Sequence, residues 1–570
     1  LLQTDKADVH TELKAKEIVN LPLNQYRNYQ TLINLVPGAM PATFQNSQVD
    51  TPGRALRTQV NGMNPNNNNT RLDGASSVNI WLPHHVGYVA PAETIETVNI
   101  STNNFDAAQG MAGGAAVTLI TKSGTNEVRG SAFAFRNQDE LNARSFFDAG
   151  KANQSITIGG GTIGGPIRKN KLFYFAAFEG NYERRGRFDR YSVPTARMRN
   201  GDFSEVLAVS PNFRLFDPAT GNVNGTGRTE FDGLVIPASR ISQAARRIQD
   251  LYPLPNDPGT NNGLQNNYVV ERQPKADRNN YDFKVNWNRT SAHQLFAKFS
   301  TMQAKVADLF FLGVNEGGNG NTKNYVATVG NTWTLSPTLV FDGSIGSNWQ
   351  DQFARASDFG TYFGRDVFGL PGTNGPDVRQ TGLPLFNTGL SALGNPAGWH
   401  PVERFERSYT VTTSLTKLAG AHEVRGGFDF VGYQLDHWQP ELGAGPRGVF
   451  DFSGNITGQP GYNPNGWNSY AAFLLGRTSG YGKSIQFETM TGREKQYAGF
   501  INDRWNASEK ATVILGLRYE YYPIMTRRDR GLERLDYDTW EVLLGGVGGI
   551  PKDVGLKPSK TLFAPRLGFA

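Results

Sequence analysis

The stretch Asn279 to Asn288 reads NNYDFKVNWN, and its alternation decides the fold class. Apolar residues occupy every second position, at Tyr281, Phe283, Val285 and Trp287. The same alternation returns at Tyr409 to Thr416 and at Val513 to Tyr521. Because successive side chains of a β-strand point to opposite faces, each stretch predicts a strand with one apolar and one polar face.

Composition supports a large all-β protein. The chain has 570 residues with 65 Gly, 11% aromatic and 19% charged residues, which favours many strands and turns over helices or disorder. There is no Cys, so disulfides, thiolate metal sites and Cys nucleophiles are excluded. The net charge of +6 is spread over 57 basic and 51 acidic residues, and this dispersal argues against nucleic-acid binding.

Two kinds of β-sheet produce such alternation: a soluble antiparallel sheet and a membrane barrel. The connections favour the barrel, because short and long ones alternate along the chain. Short turns are predicted at Pro166 to Asn170, Asn288 to Ala292, Leu335 to Pro337, Leu418 to Gly420 and Asn506 to Glu509. Long loops are predicted near 184–278, 302–322, 350–406 and 523–560. Outer-membrane barrels have short periplasmic turns and long extracellular loops.

Counting strands from the turn at Pro166 requires one more strand between Tyr433 and Ser479, and Gly448 to Ser453 (GVFDFS) is the best candidate. This count places a short helix near Tyr470 to Gly476 on the periplasmic side and gives about fourteen strands in all.

The barrel interpretation assigns the two faces of the strands. Lipid-facing side chains are predicted to be Tyr281, Phe283, Val285, Trp287, Val513, Leu515 and Leu517. Lumen-facing side chains are predicted to be Asp282, Lys284, Arg518 and Glu520. The reason is that a basic side chain on the lipid face near mid-membrane costs roughly 2 to 4 kcal/mol.

The first 128 residues have a different pattern, which predicts a small α+β domain. A short helix is predicted around Tyr26 to Leu35, ended by Pro37-Gly38. An Asn-rich loop follows at Asn64 to Asn69, and strands are predicted at Thr94 to Ile100 and Ala116 to Lys122.

Four motifs in this region resemble the plug domain of TonB-dependent outer-membrane receptors. They are RTQVNG (57–62), TRLDGAS (70–76), PAETIETVNI (91–100) and QGMAGGAAVTLITKSGTN (109–126). Further segments are similar to the Oar-like branch of that family: GGTIGGPIRKNKLFYFAAFEG (160–180), DFSE (202–205) and IPASRIS (236–242).

The resemblance implies a mainly β fold, in which a transmembrane antiparallel barrel of about 22 strands encloses an N-terminal α+β plug. Residues 1–128 would be the plug, and residues 129–570 the N-terminal part of the barrel. We expect the plug to lie inside the barrel. A TonB box before the plug and a terminal aromatic strand are not found, so the chain is expected to be part of a longer gene product.

The leading hypothesis is TonB-dependent import of a scarce ligand, such as a siderophore, an oligosaccharide or a peptide, across the outer membrane of a Gram-negative-type bacterium. The implied partners are the TonB complex, outer-membrane lipid and the ligand, with no cofactor. The alternative is a barrel with an adhesion, structural or export role. A soluble carbohydrate-active enzyme is a third class, but the sequence places no carboxylate pair for it.

Other motifs carry little chemistry. Gly159 to Gly164 matches G-x-G-x-x-G, but Pro166 follows and leaves no helix N-terminus for a pyrophosphate. His84-His85 are more typical of a loop than of a metal site, because no further ligands are close in sequence. No catalytic or metal site is therefore predicted, and the protein is not expected to be an enzyme.

Ligand contacts are predicted at the outward loops of the plug, where amide groups and an aromatic face can be presented on a fixed scaffold. The predicted residues are Asn64, Asn66, Asn67, Asn68, Asn69, Trp81, His84 and His85. Long loops such as 350–406 are expected to contribute further contacts.

Overall fold

A computed structural model describes residues 9–21, 23–44, 47–103, 105–144, 146, 150–308, 312, 317–394, 401–440 and 444–569. Among the helices in these ranges, none is both long and apolar enough to cross a membrane.

The N-terminal region forms a five-stranded sheet. Its strands are β1 (Val9–Lys14), β2 (Asn69–Leu72), β3 (Ala75–Ser76), β4 (Ile95–Asn103) and β5 (Ala116–Thr121), in the order β1-β4-β5-β2-β3. Helix α1 (Ala15–Asn20) and a 3-10 helix (Tyr29–Leu35) pack against it, and the short helix α2 (Asn24–Arg27) lies between them in the chain. The helix predicted around Tyr26 to Leu35 is thus a helical turn followed by a 3-10 helix.

The remaining strands alternate with long loops. In chain order they are β6 (Arg129–Gln138), β7 (Gln154–Arg168), β8 (Leu172–Arg185), β9 (Arg187–Tyr191), β10 (Tyr268–Arg272), β11 (Lys275–Thr290), β12 (His293–Asp308), β13 (Gly318–Ser336), β14 (Leu339–Ala356), β15 (Leu385–Asn387), β16 (Val402–Ala419), β17 (His422–Trp438), β18 (Val449–Asp451), β19 (Gly480–Gly482), β20 (Met490–Ser508), β21 (Ala511–Tyr521), β22 (Glu533–Leu535), β23 (Val542–Leu544) and β24 (Leu562–Phe569). The helices between them are α3 (Ala196–Arg199), α4 (Gln243–Gln249) and α5 (Gly466–Leu474).

Twelve of these strands form one antiparallel sheet, the wall, in the order β24-β21-β20-β17-β16-β14-β13-β12-β11-β8-β7-β6. Within the described residues the sheet is open, with β6 and β24 at its edges. All five predicted short turns join neighbouring wall strands at one end, the turn end. The long connections lie at the opposite end, the loop end.

The strand count and the placement of Gly448 to Ser453 were wrong. The wall has twelve strands, not about fourteen. The strand that follows β17 in the wall is β20, which pairs with it directly, so residues 439–489 form one more long loop. Within this loop β18 joins a small sheet with β15 and β19. The predicted helix exists as α5, but it lies at the loop end rather than at the turn end.

Four loops fold together into a cap with its own hydrophobic core. Its buried side chains come from residues 193–264, 312, 368–393 and 467–474. Phe203, Phe213 and Phe473 are almost fully buried there. The alternation rule does not reach these loops, because irregular chain buries its apolar residues without a fixed period.

The wall separates its two faces as predicted. Tyr281, Phe283 and Trp287 are 36%, 48% and 46% exposed on the outer face, while Asp282 and Lys284 are buried against the N-terminal sheet. On β21, Leu515 and Leu517 are exposed, whereas Arg518 is buried.

The wall curves around the N-terminal sheet. Arg54 pairs with Glu183 of β8 at 2.7 Å, and Arg566 of β24 donates to the carbonyl of Gln109 at 3.4 Å. Close packing needs small residues: a Cβ added to Gly346 of β14 would lie 2.6 Å from the Cβ of Ala75 in β3. The five-stranded N-terminal sheet is called the inner sheet below. Strand β5 lies in it, paired with β4 and β2.

Candidate functional site

A buried charge cluster joins the inner sheet to β11 and β12. Asp73, in the turn between β2 and β3, lies 3.1 Å from the Nζ of Lys284 and 3.5 Å from the Nζ of Lys298. The hydroxyl of Thr121 also donates to Asp73, at 2.6 Å. Burial raises the pKa of Asp73, but the two ammonium groups and the Thr121 hydrogen bonds outweigh it and hold that pKa below its ordinary value. Asp73 is therefore a charged anchor.

A second contact lies beside it on the same two strands. The hydroxyl of Tyr88 donates to Asp282 at 2.9 Å, and Ser300 also donates to this carboxylate. All three side chains are buried. A buried carboxylate needs hydrogen bonds. The Tyr88 hydroxyl supplies one to Asp282 and so connects the inner sheet to the wall.

A third contact, which is ionic, involves β17 and β21 of the wall. Asp429 of β17 lies 3.3 Å from Arg71 and 3.2 Å from Arg518. Arg518 also pairs with Glu520 at 2.7 Å, and Glu520 accepts the backbone N–H of Met111 at 2.8 Å. The lumen-facing predictions for Arg518 and Glu520 are confirmed by these contacts.

The contact with β16 and β17 has a different chemistry. The backbone N–H of Ser76 donates to the Thr410 hydroxyl at 3.0 Å, and the Ser76 and Tyr433 hydroxyls lie 3.1 Å apart. Further along, the backbone N–H of Ile80 donates to the buried carboxylate of Glu406 at 2.7 Å. This part of the interface therefore has hydroxyl groups at Ser76 and a carboxylate at Ile80.

The predicted Asn residues lie at the loop end of the inner sheet. Strand β2 starts at Asn69 and runs toward Gly74, which packs against Ser344 near the turn end. Asn64, Asn66 and Asn67 are exposed. The side chains of Asn68 and Asn69 instead bind the backbone of the N-terminal region. Asn68 accepts the backbone N–H of Ala115 and donates to the carbonyl of Thr58. Asn69 donates to the carbonyl of Gly110. Asn64, Asn66 and Asn67 are therefore the exposed amides of this run.

Trp81 also lies at the loop end. Its ring stacks on His437 with centroids 3.9 Å apart, and the guanidinium of Arg404 lies 5.3 Å from its ring centre. A cavity of about 470 Å³, the loop-end cavity, is lined by Trp81, His437, Gln439, Gln486, Glu488, Thr489, Met490, Thr491 and Arg527 to Arg530. Aromatic, amide, hydroxyl and charged groups thus surround one space.

His84 and His85 differ in burial. His84 contacts the Asn66 side-chain oxygen at 3.1 Å and is partly exposed. His85 is 2% exposed, and burial, followed by the neighbouring His84, lowers its pKa to about 4. A buried neutral imidazole supports the fold of the sheet and has no free surface for a ligand. Within the described residues, no group of three acidic or His side chains is placed to hold a metal.

Sequence reasoning missed the anchoring role of Asp73 and Lys298. Asp73 stands in the TRLDGAS motif, and Lys298 occupies a lumen-facing position of β12. A lysine in the lumen-facing register of a strand is the pattern that could have indicated a buried partner. The identity of that partner depends on packing between distant segments, which alternation does not encode.

A second, larger cavity lies at the turn end, between β2 and β5 of the inner sheet and the wall. It has a volume of about 610 Å³, and its lining includes Asp73, Asp342, Ser414, Arg425, Asp429 and Phe500. The inner sheet therefore lies between this cavity and the loop-end cavity.

Comparison with known proteins gives consistent results. The family model described as outer membrane beta barrel domain matches residues 120–570. The TonB-dependent transporter Oar of Myxococcus xanthus is 23% identical over 539 residues, which cover 87% of this chain and 45% of the transporter. The outer membrane transporter YddB of Escherichia coli has a similar fold, with a TM-score of 0.52 and 12% identity over 90% of this chain and 57% of that one.

The chain spans less than half of the length of this curated relative. The predicted resemblance to the Oar-like receptors, the mainly β fold and the outer-membrane location are confirmed. The chain therefore belongs to the family of outer membrane β-barrel domains, and its curated relative is a TonB-dependent transporter.

Proposed function

We propose that the complete gene product imports a scarce ligand across the outer membrane in a TonB-dependent manner. In this proposal residues 1–128 are the plug, and residues 129–570 are the N-terminal part of the barrel. The observation that carries it is the inner sheet itself, which packs against the lumen face of the wall between two cavities. Such a sheet obstructs the lumen, so passage of a ligand requires it to move.

The ligand contacts are assigned to groups at the loop end. Asn64, Asn66 and Asn67 offer exposed amides, Trp81 lines the loop-end cavity, and His84 contacts Asn66. These groups suit a polar ligand, such as a siderophore, an oligosaccharide or a peptide. His85, Asn68 and Asn69 are assigned to the support of these loops.

In this proposal the TonB complex of the inner membrane supplies the energy. Ligand binding at the loop end and pulling by the TonB complex from the turn end would together shift the plug. The work goes into separating plug-to-wall contacts, so the chain needs no catalytic group of its own.

The test is uptake by cells with and without the gene. Accumulation of three labelled probes, a ferric catecholate siderophore, a maltooligosaccharide and a mixed peptide pool, is measured with and without a protonophore. We expect at least one probe to depend on both the gene and the proton gradient. Gene-dependent binding that ignores the protonophore, or no gene dependence for any probe, would contradict the proposal.

An adhesion role is the second candidate, and the cap favours it. A loop region with its own hydrophobic core presents a rigid surface, as interaction modules do. Loss of surface attachment without any change in uptake would favour this alternative.

A further inference from the structure

The two cavities share two strands of the wall. On β17 the turn-end cavity includes Asp429 and the loop-end cavity includes His437; on β20 they include Phe500 and Thr491. Tyr433 stands midway between the two β17 positions and holds the plug through Ser76. One plug contact therefore lies between the two cavities on this side of the wall.

We infer that the plug separates from the wall first at Ser76, and that this separation opens a passage along β16 and β17 that joins the two cavities. The inference rests on the proposed function, because it names the route that a transported ligand would take. The lining of this side is rich in hydroxyl groups, including Thr412 and Ser414, which suits a ligand with many polar groups.

The plug element at this contact is a short edge strand of the inner sheet. Strand β3 has two residues, stands at the edge of the sheet and pairs with β2 through Arg71↔Ser76 and Leu72↔Ala75. Its bonds to Thr410 and Tyr433 join neutral groups. Gly74, with φ of 92°, precedes it and provides a backbone position that tolerates rotation.

Three residues before Ser76, in the same hairpin, the plug is held by charges. There Asp73 pairs with Lys284 and Lys298, and its side chain is 2% exposed. Separation would leave buried charges unpaired, which costs far more than the loss of neutral hydrogen bonds.

The remaining ionic contact on β17 does not oppose the opening. Arg71 is the plug partner of Asp429, and its side chain is 17% exposed. Asp429 also pairs with Arg518 of the wall, so it keeps a partner when Arg71 moves away.

The test uses two matched reporters in the complete gene product in cells. The described chain has no Cys, so Ser76→Cys and Ser300→Cys each introduce one thiol at a site that is at most 1% exposed. Ser76 faces β16 and β17, whereas Ser300 lies in the charged contact on β12. Labelling by a sulfonated, membrane-impermeant maleimide is followed in energised cells and in cells treated with a protonophore.

We expect labelling at position 76 to be faster in energised cells than in protonophore-treated cells. Labelling at position 300 should be slow in both. A second variant, Thr410→Val with Tyr433→Phe, removes two wall bonds to Ser76 and leaves the 3.5 Å bond from the Ser408 hydroxyl to the Ser76 carbonyl. It should raise labelling at position 76 roughly tenfold without energy, the change expected for the loss of two neutral hydrogen bonds. The matched control, Tyr88→Phe, removes a bond on the charged side and should leave labelling at position 76 unchanged.

Faster labelling at position 300 than at position 76, or equal labelling at both, would overturn the inference. So would a Thr410→Val, Tyr433→Phe variant that labels like the parent. If energy changes neither reporter while this variant still exposes position 76, the weak contact is correct and the energised transport proposed above is wrong.

Discussion

Two contacts between the proposed plug and the wall differ in chemistry. On β11 and β12 the contact is a buried set of charges centred on Asp73, whereas on β16 and β17 the contact at Ser76 consists of hydroxyl groups. A buried charge whose partner is removed is strongly destabilising, while a neutral hydrogen bond contributes little net stability. In the proposed opening, the plug therefore stays anchored at Asp73 and separates at Ser76.

Asp73→Asn should produce the largest effect. The change leaves the ammonium groups of Lys284 and Lys298 without their carboxylate partner. We expect a loss of about 3 to 5 kcal/mol in the free energy of plug unfolding, measured by urea-dependent protease cleavage of the plug in outer-membrane vesicles. Asp50→Asn is the control, because Asp50 is 28% exposed and lies 3.8 Å from its partner Arg404. Equal effects of the two substitutions would contradict the anchor.

The same anchor predicts a pH dependence. Because the pKa of Asp73 is lowered in the folded protein, its stabilising effect is present above the unfolded value of about 3.9 and is lost as pH falls through the folded value. The stability difference between the parent and Asp73→Asn should therefore persist from pH 7 to 5 and shrink below pH 4. A difference that stays constant down to pH 2 would argue against a charged Asp73.

Tyr88→Phe should have an intermediate effect. It removes the hydroxyl that donates to the buried Asp282 and leaves Ser300 as a donor to this carboxylate. A hydrogen bond to a charged group contributes roughly 1.5 to 3 kcal/mol, and the same cleavage assay measures the loss. A smaller loss in the free energy of plug unfolding than that of Ser76→Ala would reverse the predicted order of the two contacts.

Ser76→Ala should have a smaller effect. It removes the hydroxyl contact with Tyr433 but keeps the backbone bond to Thr410. The expected loss is about 0.5 to 1.5 kcal/mol in the same assay. A loss as large as that of Asp73→Asn would mean that both sides of the plug are anchored.

Asn66→Ala should have the smallest effect on stability, within about 0.5 kcal/mol, because the residue is exposed. Its contact with His84 lies at the surface of the plug. Once a probe is shown to bind, we expect this variant, together with Trp81→Ala, to weaken binding while the barrel still assembles. Unchanged affinity in both variants would place the ligand site elsewhere.

Alternation predicted the regular parts of the molecule. Tyr281 and Lys284 lie on opposite faces because the period of a strand fixes them, and the turns follow from breaks in that period. The loops were harder: α5 and β18 were assigned to the wrong side or the wrong sheet, because short apolar runs form local sheets as readily as wall strands. The pairing of Asp73 with Lys298 depends on long-range packing, and local sequence does not encode it.

Amide hydrogen exchange tests most directly whether the plug opens at Ser76 before Asp73. In the complete gene product in outer-membrane vesicles, exchange at residues 74–77 is compared with exchange at Asp73 and Thr121, which belong to the charged contact. We predict exchange at least about tenfold faster at 74–77, because a weakly held segment opens locally before the anchored one. Equal protection of both regions, or faster exchange at Asp73 and Thr121, would contradict it.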